Sequence, residues 1–406
     1  MTASDVPFGR LDPASSSYLS ALRERVVVFD GAAVTNLQPL GLEAEVFGGH
    51  QLEGCYEMLA LTAPNLVEQL HRSFLDVGVD VIETNTFGAF SVVLAEYQIA
   101  DRAAEINLAA ARLARRVADE YSTPERPIWV GGSMGPGTKF ATLGQISYVG
   151  LCAAYEEQAL GLLEGGVDLL VIETVYDLLG AKAAINGARQ AMAMQGRQVP
   201  LQVQVTIELT GRMLPGTEIA AALTTLDAMQ VDVVGLNCAT GPAEMGEALR
   251  YLSANSTMPI SCQPNAGLPS VVDGAMHYDL SPDELAEHHH RFITEFGVRA
   301  VGGCCGTTPA HLSAVVERCA KATPAERSPE PEPAAASIYS AMPFHQDTSF
   351  LVVGERANAN GSRQFREAML AADWDTCVAI ARDQVKEGSH VIDVCVDYTG
   401  ADGVAD

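Results

Sequence analysis

Basic residues are scarce in this 406-residue chain: 25 Lys and Arg stand against 51 Asp and Glu, a formal net charge of -26. That balance argues against nucleic acid or an anionic membrane surface as a partner, because both repel an acidic protein. Long apolar runs are missing too. No stretch reaches the roughly 20 residues that a membrane span needs. Residues 1–25 are mixed and polar, without the apolar centre of a secretory leader. Cysteine is present but in the wrong pattern for a disulfide framework. The nine cysteines are an odd number, widely spread, with two of them adjacent. Reduced thiols in a cytoplasm fit that usage, some of them free to bind metal.

Apolar residues make up 48% of the chain, enough for a sizeable core. Short apolar runs recur along it: Val26–Ala32, Val79–Phe87, Ile128–Pro136, Val167–Val175, Leu201–Ile207, Val231–Ala239, Ile260–Gly267 and Val298–Gly306. They are β-branched and barely alternate, as strands buried on both faces should be. Between most of them lie segments with apolar residues at helical spacing that end at Gly. Eight such β-then-α units in about 300 residues predict an α/β protein, a closed (β/α)8 TIM-type barrel. An open doubly wound sheet is the alternative, but such sheets commonly use fewer strands. Polar and special residues (Asp30, Glu83, Asn85, Ser133, Glu173, Asn237, Cys238, Asn265, Cys304, Cys305) fall at the C-terminal strand ends. That rim carries the active site in this fold.

Composition changes after Cys319. Lys321–Ala336 is rich in Pro, Ala and Glu and reads as an extended linker. The expected organisation is a barrel over residues 1–320, a linker over 321–347, and the start of a second, incomplete α/β barrel over 348–406.

Three cysteines carry the chemistry. Cys238 ends the sixth strand, and Cys304 and Cys305 end the eighth. In a closed barrel both strand ends face one mouth. Three thiolates with an open fourth position suit a catalytic zinc, whereas structural zinc sites are closed by four ligands. Side chains of adjacent strand residues point to opposite faces, so Cys304 and Cys305 need a turn, which Gly302, Gly303 and Gly306 permit. A buried core role is the competing reading, above all for Cys238 taken alone. Cys262 lies mid-strand and reads as core; Cys55, Cys152, Cys319, Cys377 and Cys395 read as structural. A zinc with three thiolates carries a net charge of -1. It is a poor acid toward water, yet lowers a thiol's pKa enough to bind it as thiolate.

Two further stretches invite a metal or phosphate reading and do not sustain it. Gly131–Gly137 is glycine-rich but lacks the Gly-Lys-Ser/Thr ending of a phosphate loop. His288, His289 and His290 sit at consecutive helical positions, where three imidazoles cannot face one ion, and an exposed helix face is expected.

The strand-end segments VFDGA, ETNTFGA, GSMGPG, VIETVYD, GLNC, PNAGLP and GGCCGTTPAH resemble, in order over about residues 20–320, the homocysteine methyltransferase family. The segment from Gly354 to Asp397 resembles the start of a pterin-binding domain. The pairing is similar to the N-terminal part of the cobalamin-dependent methionine synthases. The resemblance implies zinc on Cys238, Cys304 and Cys305, and transfer of a methyl group to the zinc-bound thiolate of homocysteine to give methionine. It implies methylcobalamin as donor, recharged from methyltetrahydrofolate, with cobalamin held by a module outside this chain. It places Asn265 at the zinc's fourth position before the thiol arrives, and Asp30 and Glu173 around the substrate ammonium. For Asp30 a turn-capping role stands beside that, and for Glu173 an ion pair with a helix. Backbone N–H groups near Gly31, Ala32 and Ser133 to Gly135 should meet the substrate carboxylate. In the tail, Glu355, Asn358, Asp393 and Asp397 match pterin-site positions, with solvated loop and cap residues as the plain alternative. Rival readings are a cobalamin-independent homocysteine S-methyltransferase using betaine or S-methylmethionine, and a non-catalytic zinc- or folate-binding module.

One departure from the family is visible. The usual Asp-Gly-Ala-Met-Gly-Thr is here Asp30-Gly31-Ala32-Ala33-Val34-Thr35. If the second glycine position requires a left-handed backbone, Val34 is strained there and homocysteine affinity suffers.

Overall fold

The computed structural model describes residues 9–272 and 275–403. It divides into two compact units, residues 1–331 and 332–406. The first is built on β1 (Val27–Val28), β2 (Val81–Glu83), β3 (Trp129–Met134), β4 (Leu169–Val175), β5 (Leu201–Val205), β6 (Val233–Asn237) and β7 (Ile260–Gln263), then an antiparallel hairpin of β8 (Pro269–Val272) and β9 (Ala275–Tyr278), then β10 (Ala300–Val301). All except the hairpin join one eight-stranded parallel sheet in the order β1-β10-β7-β6-β5-β4-β3-β2. A bridge between Phe29 and Val81 links the first strand to the last. That contact closes the ring, so the sheet is the expected barrel and not an open one. Each of the eight apolar runs contains one of its strands.

The strands form where β-branched residues can be buried on both faces. Their outward side chains, such as Val28, Ile82, Val130, Leu170, Ile172 and Val203, join the helices in the main apolar core. The helices begin and end on clear signals. Ser147 and Asp177 cap Tyr148–Gly165 and Leu178–Gln195, and each helix stops at a glycine in the left-handed conformation, Gly166 and Gly196. Ser281 and Glu284 form a reciprocal capping box that opens Pro282–Phe296.

The N-terminal end of the barrel is plugged from below. Tyr18, Leu19 and Leu22 of the helix Ser17–Glu24 pack on Val27, Phe29, Val81, Trp129, Leu169 and Val233 inside the ring. Tyr18 meets Phe29 and Trp129 edge-on and donates to Gln202 Oε1 at 2.5 Å. The opposite, C-terminal end is left for the site.

The Pro- and Glu-rich segment does not leave the barrel at once. Arg327 donates to the carbonyls of Ser256 and Met258 at 2.9 and 2.7 Å, and the N–H of Glu330 reaches the carbonyl of Ala254. Residues 321–331 therefore belong to the first unit. In the second unit, strands Val353–Asn358 and Val391–Cys395 pair in parallel, with helices Arg363–Leu370 and Trp374–Lys386 between them. A small hairpin, Ala334–Ala336 with Ala341–Pro343, precedes them.

Candidate metal and substrate site

The sulfurs of Cys238, Cys304 and Cys305 all lie within 4.8 Å of one another, with Cys238 Sγ and Cys305 Sγ 3.9 Å apart. Among the described residues this is the one group of three or more His, Cys, Asp or Glu ligand atoms so assembled. Two loops deliver the thiols. After β6 the chain turns through two consecutive left-handed residues, Cys238 (φ 56°) and Ala239 (φ 58°). Neither is glycine, so this conformation costs free energy and is held by its surroundings: the Cys238 N–H donates to the carbonyl of Gln263, and the Thr240 N–H to that of Cys238.

After β10 a four-residue turn runs from Cys304 to Thr307, closed by the Thr307 N–H on the Cys304 carbonyl at 3.2 Å. Gly306 occupies its third position with φ 77°, where a turn of this hand demands glycine. The side chain of Thr307 fills the space that a Cβ at Gly303 would take, and Tyr278 fills it at Gly306. The neighbouring strand β7 fixes both cysteine backbones. Cys304 N–H donates to Pro264 O at 2.8 Å, Cys305 N–H to Asn265 Oδ1 at 3.1 Å, and Cys305 O accepts from Ala266. Asn265 thus lies at the cluster, buried, with its carbonyl oxygen orienting Cys305.

The donor set fits a soft divalent cation. The three thiols hold their protons unevenly. Hydrogen bonds from Cys238 and Cys304 hold Cys305 far below an ordinary thiol, while Cys304 is driven well above it by its bonds to Cys238 and Cys305. A charge between the sulfurs removes that conflict. The remaining cysteines stay apart. Cys262 is fully buried beside Met245, Cys55, Cys152, Cys319 and Cys377 are buried, and Cys395 is partly exposed in the second unit.

Beside the thiols sits a group of buried carboxyls. Glu173 accepts from Ser133 Oγ at 2.5 Å and from Asn237 Nδ2 at 3.1 Å. Asp30 Oδ2 accepts the N–H of Glu83 at 3.1 Å. Among the described residues, Glu173 forms no ion pair with a helix and Asp30 caps no turn. Burial pushes Asp30, Glu83 and Glu173 above the usual carboxylate range, and their mutual repulsion adds to it for Asp30 and Glu83. Glu83 and Asn237, placed by the sequence among the polar strand ends but given no role, belong to this site, as does Tyr278, which no motif singles out. Glu83 and Asn237 stand at inward-facing strand ends, the one signal that could have found them.

Several expectations change. The N–H of Ser133 donates to Thr84 Oγ1 and that of Gly135 to the Phe87 carbonyl, so neither is free for a carboxylate; Ser133 contributes its hydroxyl to Glu173 instead. Gly31 and Ala32 do line the rim. A Cβ on Gly31 would meet Thr307 O at 2.8 Å, and the Ala32 N–H has only a long 3.5 Å contact to Cys304 O. Val34 lies within the short helix Ala33–Leu37, outside the left-handed region. The predicted strain is absent because the chain has already turned. Nor is the histidine run one exposed face. His289 is buried and its Nε2 lies 2.7 Å from the carbonyl of Gly302, just before the cysteine pair. Consecutive helical positions are turned about 100° from one another, so the middle histidine falls on the buried face with Leu285, Ala286 and Phe292. In the second unit Asn358 Nδ2 donates to Asp393 Oδ2 at 2.9 Å, and Asn360 to the carbonyl of Asp397; Glu355 is exposed on its strand.

The sequence profile of the family described as homocysteine S-methyltransferase matches residues 27–319, and that described as pterin binding enzyme matches residues 354–406. The chain belongs to the homocysteine S-methyltransferase family. It is 51% identical over 388 residues to the methionine synthase of Mycobacterium tuberculosis and 50% identical over 393 residues to that of Mycobacterium leprae. Each alignment covers 96% of this chain but 32% of the relative, so the chain spans about a third of these proteins. In fold, the barrel is similar to crystal structures of the homocysteine methyltransferase MmuM from Escherichia coli. The metallated form gives a TM-score of 0.60 at 22% identity and the oxidised form 0.58 at 21%, each over 76% of this chain and all of that one.

Proposed function

We propose that this family member binds homocysteine by its sulfur at the cysteine cluster and transfers a methyl group to it, giving methionine. The convergence of Cys238, Cys304 and Cys305 at the open end of the barrel carries this reading. These three residues would hold a zinc ion, which supplies the positive charge that keeps the substrate thiol deprotonated at neutral pH.

The chain's own residues do the rest. Asn265 and the turn through Gly306 hold the Cys305 backbone. The buried carboxyls attract the substrate ammonium and so orient the amino acid with its sulfur toward the thiols. The Ala32 N–H stands at the rim for the substrate carboxylate. The substrate sulfur, its proton already released to solvent, then forms the new S–C bond with the methyl carbon as that carbon's bond to the donor breaks, the bonding pair leaving with the donor. Within the whole protein we assign the donor role to methylcobalamin, and its recharging to methyltetrahydrofolate. The pterin would lie along the two parallel strands and the loop after them, which carry Glu355, Asn358, Asp393 and Asp397. Membership of residues 354–406 in the pterin-binding family favours this over a betaine or S-methylmethionine donor.

The test is to incubate the purified chain with homocysteine and free methylcobalamin and to measure methionine by mass spectrometry. Methionine from the wild type and none from Cys304→Ala is expected. Equal formation by both proteins would contradict the assignment.

A further inference from the structure

Buried carboxyls without a cation are costly, and the barrel mouth holds three. Asp30, Glu83 and Glu173 are close enough to repel one another. None of them joins an ion pair among the described residues. An unpaired buried charge is expensive, so the arrangement calls for a cation from outside.

Their hydrogen bonding distinguishes the three. Both Glu173 oxygens are engaged, Oε1 by Ser133 Oγ and Oε2 by Asn237 Nδ2. Asp30 uses Oδ2 for the N–H of Glu83, which leaves Oδ1 buried and without a partner. Glu83 Oε1 is likewise buried and without a partner. The same backbone bond makes the two residues neighbours across β1 and β2. The next strand sets no side chain directly opposite Glu83. The residue opposite it is Gly131, where an added Cβ would sit 3.4 Å from Glu83 Cγ.

We propose that Glu83 is a specificity-determining residue of the amino-acid site. With Asp30 it supplies the two oxygens that receive the substrate α-ammonium, while Glu173, already tied to Ser133 and Asn237, contributes charge from behind. An ammonium group has three donors and no acceptor, so it satisfies both orphaned oxygens at once. The site therefore selects thiols that carry an adjacent ammonium. This inference rests on homocysteine being the substrate.

The experiment uses the full chain loaded with zinc, and two ligands that share thiol and carboxylate: homocysteine, and 4-mercaptobutanoate, which lacks the ammonium. Dissociation constants are measured by calorimetry for wild type, Glu83→Gln and Asp30→Asn, with zinc content checked in each. The wild type should prefer homocysteine. Glu83→Gln should weaken homocysteine about ten- to hundredfold, the worth of one charge-assisted hydrogen bond, and leave 4-mercaptobutanoate unchanged. A merely structural role for Glu83 would weaken both thiols together, and that result overturns the inference. So does a Glu83→Gln protein that keeps the full preference for homocysteine. A wild type that binds neither thiol overturns the substrate assignment itself, and the inference with it.

Discussion

Asn237 bridges Glu173 and the backbone of the residue after it: its Nδ2 donates to Glu173 Oε2 at 3.1 Å, and its Oδ1 accepts the N–H of Thr174 at 2.7 Å. Thr174 is β-branched yet left-handed, with φ 56°, a conformation that costs on the order of 1–3 kcal/mol and survives only where neighbours impose it. Asn237 is that neighbour, and it directly precedes Cys238. One amide thus fixes a carboxyl of the substrate site and the entry to a thiol of the metal site.

Asn237→Ala should therefore lower stability by about 1–3 kcal/mol, since a buried N–H and a carboxyl lose their partner. Homocysteine affinity should fall with it. Denaturant unfolding and calorimetry read the two effects. An unchanged affinity would show that Glu173 holds its place without the amide.

The turn that presents Cys304 and Cys305 leaves no room for side chains. Gly303→Ala would drive a methyl into Thr307, an overpacking cost of about 1–3 kcal/mol. The loop, and not the barrel, should yield, because the strain is local. We expect zinc affinity to fall while the far-ultraviolet circular dichroism stays the same. Full zinc retention would mean that the turn is more tolerant than its packing implies.

His71 is buried with neither ring nitrogen hydrogen-bonded, and burial lowers its pKa to about 4. The folded value lies below the unfolded value of about 6.5. The folded imidazole therefore stays neutral down to about pH 4 while the unfolded one protonates below about 6.5, so stability is lost as pH falls through that window, by up to about 1.4 kcal/mol per pH unit. Buried Asp30, Glu83 and Glu173 act in the opposite sense, so the wild-type curve alone is ambiguous. His71→Leu isolates the effect. It should raise stability at pH 5 more than at pH 8, measured by urea unfolding. An equal gain at both pH values would contradict the shift.

Much of this was legible in the sequence, for physical reasons. The eight strands announce themselves because strands buried on both faces must be apolar throughout, and the cysteine pair because it is set among Gly302, Gly303 and Gly306. Closure by Phe29 and Val81 follows from counting strands. Contacts made across the barrel were not legible. Glu83 reads like any strand-end acid until Asp30 is seen on its N–H, and His289 like part of a polar run until Gly302 is seen beside it. The backbone at Val34 is not legible either, because a glycine in a family motif does not reveal which φ it serves.

The helical setting of Val34 gives its own prediction. Val34→Gly should leave the homocysteine dissociation constant within about twofold of wild type and reduce stability slightly, since glycine is the poorer helix former by up to about 1 kcal/mol. A clear gain in affinity would restore the strain argument.

The central claim is that Cys238, Cys304 and Cys305 share one ion and leave room for the sulfur of the substrate. X-ray absorption at the zinc edge, on the full chain with and without homocysteine, tests it most directly. Three sulfur neighbours and one lighter atom are expected in the free protein, and four sulfurs after homocysteine is added. A sulfur count that homocysteine does not change would contradict the account.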